Sequence, residues 1–332
     1  MDDRGHDVAP AVETTADEIA AMEIRGAATI ADAAAEALAI QAERSDADRP
    51  DAFERQLRAA AKTLYETRPT AVSLPNALRY VLAGMDGETV AELRASIVDR
   101  AEEFRRDLDR AQSKLGSVGA NRLRDGDVVM THCHSTDALA CLEAAVEDGT
   151  EIEAIVKETR PRLQGHITAG QLREWGVPVT VIVDGAARRY LDRADHVLVG
   201  ADSIAADGSV INKIGTSGLA VLARERGVPV TVAAQTIKLH PDTMTGHTVE
   251  IERRDEREVL DEEARAAITD GVDGTDDGLT AENPAFDVTP PRYVDAIVTE
   301  HGQFPPETIV TLMRELFGET VDEPWERSEI TG

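Results

Sequence analysis

A chain of 332 residues has length for about two domains, and with 42% hydrophobic but only 3% aromatic residues its core must rest on Ala, Val, Ile and Leu. Asp and Glu number 63 against 35 Lys and Arg, a net charge of −28 that repels nucleic acid and anionic membranes and excludes both as general partners. There is no run of about 18 apolar residues for a membrane span, MDDRGHDVAPAVETT lacks the parts of a secretory signal, and two cysteines make no disulfide framework, so a cytoplasmic protein is expected.

Residues 12–115 read as helical. TADEIAAMEI, ATIADAAAEALAIQAE, DAFERQLRAAAKTLYE, SLPNALRYVLAGM and ETVAELRASIVDRAEEFRRDLDRAQSKL place apolar residues three to four apart. From about residue 120, short apolar runs (DVVMTH, EIEAIV, VPVTVIV, HVLVGA, VPVTVAA, YVDAIV) alternate with amphipathic stretches such as STDALACLEAAVED and TSGLAVLARERG. The pattern predicts an α/β protein: an N-terminal helical domain over 1–118, then a Rossmann-like open parallel sheet with helices on both faces over 119–332. SIAADGSVIN, with its Asp-Gly, predicts a hairpin. Residues 252–284 are acidic and rich in DG turns, and read as a solvated surface insertion.

Ligands of an open α/β sheet bind beyond the carboxyl ends of its strands. Cys133, Glu158, Asp184 and Asp202 each follow an apolar run, and Lys238 lies just past another. Cys133 and Asp202 form the pair of most interest, because a thiolate can accept a proton and a carboxyl in a poorly hydrated pocket can donate one. The helix after Cys133 is expected to favour its thiolate. Packing for the thiol and turn capping for the carboxylate are the competing roles, and Cys141, inside a helix, reads as core. His132, Cys133 and His134 are adjacent and point to alternating faces, so no metal is expected there. CxxC, HExxH, GxSxG and GxGxxG are all missing, which argues against zinc, a serine nucleophile and a nicotinamide cofactor.

Anion-binding features surround this pair in the sequence. Arg25, Gly26, Ala27 and Ala28 open an alanine-rich helix, where small residues let backbone N–H groups approach a phosphate. Arg68 precedes a proline turn, and Ser135, Thr136 and Asp137 open the helix after Cys133. Asn212 and Lys213 precede a Gly-containing helix start. Only five residues are lysine (Lys62, Lys114, Lys157, Lys213 and Lys238). Acidic, lysine-poor surfaces suit very high salt, where charges are screened within roughly 3 Å at 1 M. A lysine kept in such a chain is expected to have a specific partner, so Lys213 and Lys238 are candidate anion contacts. A substrate with two phosphates and a polar middle fits the set.

RGAATIADAAAEAL, RPTAVSLPNAL, THCHSTDALA, KETRPRLQG, VLVGADSIAADGSVINKIGTSGLA and AAQTIKL resemble the family of translation initiation factor 2B regulatory subunits and their sugar-phosphate isomerase relatives. The likeness covers residues 20–250 and resumes over 285–317. The Cys and Asp motifs are shared with isomerases of methylthioribose 1-phosphate, whereas RPTAVSLPNA and the RGAA segment look more like those acting on ribose 1,5-bisphosphate. The resemblance implies an aldose–ketose isomerase forming ribulose 1,5-bisphosphate in AMP degradation, with Cys133 as catalytic thiol and Asp202 as its acid partner. It places Arg25 to Ala28, Arg68, Ser135 to Asp137, Asn212, Lys213 and Lys238 on the substrate. It also implies no required cofactor, activation by AMP, and a homo-oligomer, a hexamer built from dimers. His134 departs from an expected Asn. Two alternatives stay open: the methylthio-sugar isomerase, and a non-catalytic regulatory subunit binding nucleotide or sugar phosphate.

Overall fold

Prolines at the first helical position, where the missing N–H costs nothing, open two of the N-terminal helices, α1 (Pro10–Ala20) and α3 (Pro50–Tyr65). The computed structural model describes residues 8–24, 26–68, 71–241, 243–246, 249, 251–269, 278–317 and 325. Between and after these helices come α2 (Ala27–Arg44), α4 (Ser73–Ala83) and α5 (Val90–Ala120). The periodicity of TADEIAAMEI suggests a helix reaching Ile24, but α1 stops at Ala20. Met22 adopts φ +61 and the Glu23 N–H reaches back to Glu18 O at 2.9 Å, a left-handed C-terminal wrap. Ala31, Ala34 and Ala35 of α2 are fully buried, and the absence of bulk lets α2 and α4 pack closely around Leu38, Leu74 and Leu78.

The chain packs as two compact units. One comprises Met1–Ser113, Gln235–Asp242 and Met313–Gly332, the other Lys114–Ala234 and Thr243–Leu312. Division at a single point near residue 118 does not express this, because two later segments return to the helical unit. In that unit Asn76, buried in α4, donates through Nδ2 to the carbonyls of Ile237 and Leu239, each at 2.9 Å. This holds the turn Thr236–Lys238 and the short strand β8 (Leu239–His240) that follows it.

The second unit is built on β1 (Val128–His132), β2 (Glu153–Lys157), β3 (Val179–Ile182) and β4 (His196–Gly200). With β7 (Val230–Ala233), β10 (Ala296–Thr299) and β11 (Gly302–Phe304) they form a seven-stranded sheet in the order β11-β10-β7-β4-β1-β2-β3. All pairs are parallel except β10 with β11, a hairpin edge the apolar pattern does not announce. β7 and β10 are buried along their length, as parallel strands covered on both sides must be.

The connecting helices are α6 (Thr136–Glu147), α7 (Gln164–Glu174), the short α8 (Ala187–Tyr190) and α9 (Thr216–Arg226). The β1-α6-β2 crossover runs one way along the sheet and the path from β4 through α9 to β7 runs the other. Right-handed crossovers therefore put α6 and α9 on opposite faces. The strand order reverses between β1 and β4, which makes the crevice at their carboxyl ends the fold's natural ligand position.

The expected hairpin forms as β5 (Ser203–Ala205) and β6 (Val210–Lys213), turning at Gly208 with φ +81. It is joined by β9 (Phe286–Thr289), antiparallel to β6. The segment 252–284 is only partly the solvated loop its charge suggests. Its α10 (Glu262–Thr269) buries no residue, but Arg253 bridges Pro284, Arg254 N–H donates to Asn283 O and Ala285 N–H to Glu252 O. Backbone pairing thus builds both ends of the segment into the unit; the DGVDGTDDG stretch falls largely outside the described residues. The final helix described is α11 (Ile309–Phe317). Among the described residues no helix is long and apolar enough to cross a membrane.

Candidate active site

Cys133 is the first residue beyond β1 and Asp202 the second beyond β4, so two neighbouring parallel strands deliver them to the crevice at the switch point. Asp202 N–H donates to Ile211 O at 2.9 Å, which sets the carboxylate beside the end of β6, where Asn212 and Lys213 lie. Electrostatics tie the group together: both Asp202 and Lys213 act on the Cys133 thiol. Within the second unit the structure therefore brings together Cys133, Asp202, Asn212 and Lys213.

Cys133 has φ +70, a left-handed conformation that costs a non-glycine residue about 1–3 kcal/mol and persists only where the surroundings impose it. Here two threonines do so. The Cys133 N–H donates to Thr159 Oγ1 at 2.9 Å, and Thr168 Oγ1 donates to Cys133 O at 2.9 Å. Thr159 is braced in turn. Its hydroxyl proton is shared between His132 Nδ1, 3.2 Å away, and Lys157 O at 3.1 Å.

The tautomers follow from the partners. His132 Nε2 lies 2.8 Å from Ile214 O, which can only accept, so Nε2 carries the proton and Nδ1 is left to accept. Burial and the nearby Lys157 charge hold His132 neutral, down to about 4. Thr168 spends its proton on Cys133 O, so His134 Nδ1 donates to Thr168 Oγ1 at 3.1 Å. His134 thus works on the brace around Cys133. Asp184, one of the strand-end carboxylates, shapes the backbone by accepting from Thr159 N–H at 3.1 Å and Arg160 N–H at 2.7 Å. Glu158 N–H donates to Ile182 O and extends the β2–β3 register.

Burial works against the thiolate expected from the helix after Cys133. Burial pushes the Cys133 thiol up to about 11, with Asp202 adding to the rise; the His134 backbone N–H, Lys213 and Arg254 pull the other way. Two features explain the failure. α6 begins only at Thr136, three residues on, and its first turn is capped by Ser135 Oγ, which accepts from Ala138 N–H at 3.3 Å. The Ser135 hydroxyl lies against Gly200, where any Cβ would overlap it. Thr136 opens the helix, and Asp137 is fully buried. Cys141 is a core thiol donating to Asp137 O at 3.3 Å, as its helical position suggested.

Asn212 donates to Thr216 Oγ1 at 3.0 Å. Lys213 is 6% exposed, lies 4.9 Å from the Phe286 ring centroid, and has its pKa lowered by burial and by Arg254. Next to it is a narrow crevice lined by Arg160, Arg162, Gln164 and Arg254. Among the described residues no group of three or more His, Cys, Asp or Glu is placed to hold a metal ion.

The remaining anion-contact candidates belong to the helical unit. Gly26, with φ +96, caps α2, whose first turn starts at Ala27 and Ala28 and carries no acidic side chain. Arg68 follows α3, and Lys238, 8% exposed, ends the turn that Asn76 holds. Arg25 lies outside the described residues. Sequence reasoning missed Asn76, Thr159, Thr168 and Arg254. The first lies within the quoted RPTAVSLPNAL and the second within KETRPRLQG, so the motifs held a signal that residue-by-residue chemistry did not single out.

Comparison with known proteins agrees with this fold. Residues 23–306 match the model of the Initiation factor 2 subunit family. A ribose 1,5-bisphosphate isomerase of Haloterrigena turkmenica is 94% identical over 326 residues, 98% of this chain and 100% of that protein. The Haloferax volcanii protein of the same name is 70% identical, covering 98% of this chain and 97% of its own. Among solved structures, the Pyrococcus horikoshii translation initiation factor eIF-2B matches with a TM-score of 0.75 at 30% identity, over 91% of this chain and 100% of that one. With a match of this extent, a reversed sheet order at β1 and β4, and the motifs at their strand ends, the chain belongs to the Initiation factor 2 subunit family.

Proposed function

We propose that this chain isomerises ribose 1,5-bisphosphate to ribulose 1,5-bisphosphate, with Cys133 moving the carbon-bound proton and Asp202 the oxygen-bound protons. The observation that carries the reading is the delivery of a thiol and a carboxyl to one crevice by adjacent strands, with the Asp202 charge acting on the thiol. The isomerases named above support the choice of sugar.

The substrate is a ring closed through C1, so opening is part of the reaction. Asp202 in its acid form donates to the ring oxygen as the C1–O bond breaks, while the Cys133 thiolate takes the proton from C2. An enol with C1=C2 results, still carrying phosphate on C1. Asp202 then takes the proton from the C2 hydroxyl and Cys133 returns one to C1, giving the ketone. Atoms and electrons balance without a hydride acceptor. Because burial leaves the proton on sulfur at rest, the working state is the minor one with that proton on the carboxyl, a pair property more than a property of either residue.

In this reading Ser135 to Asp137, Asn212 and Lys213 bind substrate, as do Arg25 to Ala28, Arg68 and Lys238. Activation by AMP and assembly of dimers into a hexamer belong to the same reading. The test is an assay of the purified protein in molar KCl, which screens its −28 charge. Ribulose 1,5-bisphosphate should form from ribose 1,5-bisphosphate, and methylthioribose 1-phosphate should react far more slowly. Equal or preferred turnover of the methylthio sugar would reassign the substrate, and silence toward both with nucleotide bound would mark a regulatory subunit.

A further inference from the structure

Lys157 is one of only five lysines, is 3% exposed, and takes no part in the proton transfers above. It ends β2, and its ammonium donates to Gly215 O at 3.3 Å and lies 4.0 Å from Asp184 Oδ1. Asp287 on β9 holds the same glycine by its N–H, which donates to the carboxylate at 2.7 Å, and also accepts from Ser217 N–H at 3.0 Å. A carboxylate from a distant strand thus caps α9, and the anion at that helix start comes from the chain itself. Burial disfavours both charges, and each favours the other in return. Gly215 adopts φ +98, and a Cβ there would stand 3.3 Å from both Lys157 Nζ and His132 Nε2, so the clamp closes on a residue without a side chain.

The clamp holds the stretch that lies between the two reacting groups. Asp202 N–H donates to Ile211 O at 2.9 Å, and Nε2 of His132, the residue before Cys133, donates to Ile214 O at 2.8 Å. The backbone from Ile211 to Ile214 therefore bridges the tip of β4 to the tip of β1. Asn212 and Lys213 sit within it. Asp287 stands opposite Asn212 in the β6–β9 pairing, and Ala285 O takes the Ile214 N–H at 3.0 Å, so β9 supports the bridge along its length. Thr159 closes the circuit, since its hydroxyl accepts from Cys133 N–H and bonds to Lys157 O.

We propose that Asp287, backed by Lys157, is a positioning residue that sets the spacing of Cys133 and Asp202 through the bridge Ile211–Gly215. It touches no substrate atom and moves no proton. The proposal rests on the isomerase reading for the role of that pair, but the spacing itself is testable without turnover.

The test compares wild type with Asp287→Ala, Asp287→Asn and Lys157→Met, each first shown by thermal melting to be folded in molar KCl. Misplacement by about 1 Å costs about 10²-fold in rate, so with ribose 1,5-bisphosphate Asp287→Ala should lower kcat by roughly 10- to 100-fold and leave KM within about twofold. Asp287→Asn, whose amide oxygen still accepts from Gly215 or Ser217, should recover part of the loss. Lys157→Met should lower kcat in the same direction. The second arm is a double-mutant cycle read by iodoacetamide alkylation of Cys133 at pH 8. The Asp202 charge raises the thiol, so Asp202→Asn should speed alkylation, and by a factor roughly half as large or less once Asp287→Ala loosens the bridge. Should Asp287→Ala fail to fold, Asp287→Asn takes its place in both arms, with smaller effects of the same sign. Unchanged kcat, a loss confined to KM, or an Asp202→Asn factor equal with and without the Asp287 substitution overturns the proposal. If the wild type does not turn the sugar over, the isomerase reading fails and the alkylation cycle still decides the spacing.

Discussion

Cys133→Ser and Asp202→Asn should each lower kcat by roughly 10³- to 10⁴-fold, the upper range for a residue that transfers protons in the transition state. In the proposed mechanism both side chains act twice, which is why the upper range is expected. Serine keeps the size and the two backbone contacts to Thr159 and Thr168, but its hydroxyl ionises far less readily than even a thiol raised to about 11. Asparagine keeps the Asp202 backbone bond to Ile211 O and loses only the proton and the charge. The two variants differ in a second readout. The Asp202 charge raises the Cys133 pKa, so removing it in Asp202→Asn should bring the thiol down from about 11 and speed its alkylation at pH 8 while turnover collapses. Faster alkylation in a folded, inactive protein separates loss of chemistry from loss of structure. Retained activity in either variant, or slower alkylation in Asp202→Asn, contradicts the assignment.

Stability should fall steeply as pH drops from 6.5 to 4, and the cause is His132. Its side chain is 1% exposed and neutral, with Nδ1 accepting from Thr159 and Nε2 donating to Ile214 O. Burial and Lys157 lower its pKa from 6.5 to about 4. A group whose folded pKa is depressed contributes stability that is complete above its unfolded pKa, here 6.5, and is lost as pH falls through the folded value. The shift is worth about 3 kcal/mol. Urea unfolding at pH 7, 5.5 and 4 in constant KCl measures it. His132→Gln should be less stable at pH 7 and show a shallower fall across this window; an unchanged slope would remove His132 as the cause. Because Thr159 passes this brace to the backbone of Cys133, acid should impair turnover before global unfolding.

Much of this architecture was legible in residue pattern. Short apolar runs ending in a polar residue located β1, β2, β4 and β7, and placed Cys133 and Asp202 at strand tips. The Asp-Gly of SIAADGSVIN located the β5–β6 hairpin. What stayed hidden depends on which strands lie side by side. Thr159 reaches Cys133 because β1 and β2 run parallel with His132 opposite Lys157, a register no local pattern states. Arg254 is drawn in because Arg253 bridges Pro284 across thirty-odd residues of acidic, turn-rich chain, where composition alone points to solvent. The thiolate expectation failed on distance and burial: proximity to a helix in sequence is not a place at its N-terminus. β9 and β11 were missed because FDVT and GQF are too short to show alternation.

The central claim is that hydrogen moves between C2 and C1 as a proton carried by the Cys133 sulfur. The most direct measurement supplies ribose 1,5-bisphosphate deuterated at C2 to the wild-type protein in ordinary water and follows C1 of the product by NMR. The account predicts that solvent hydrogen replaces at least part of the deuterium, since a sulfur-bound hydrogen exchanges with water. Complete carry-over of deuterium to C1 would indicate a direct hydride shift and contradict it.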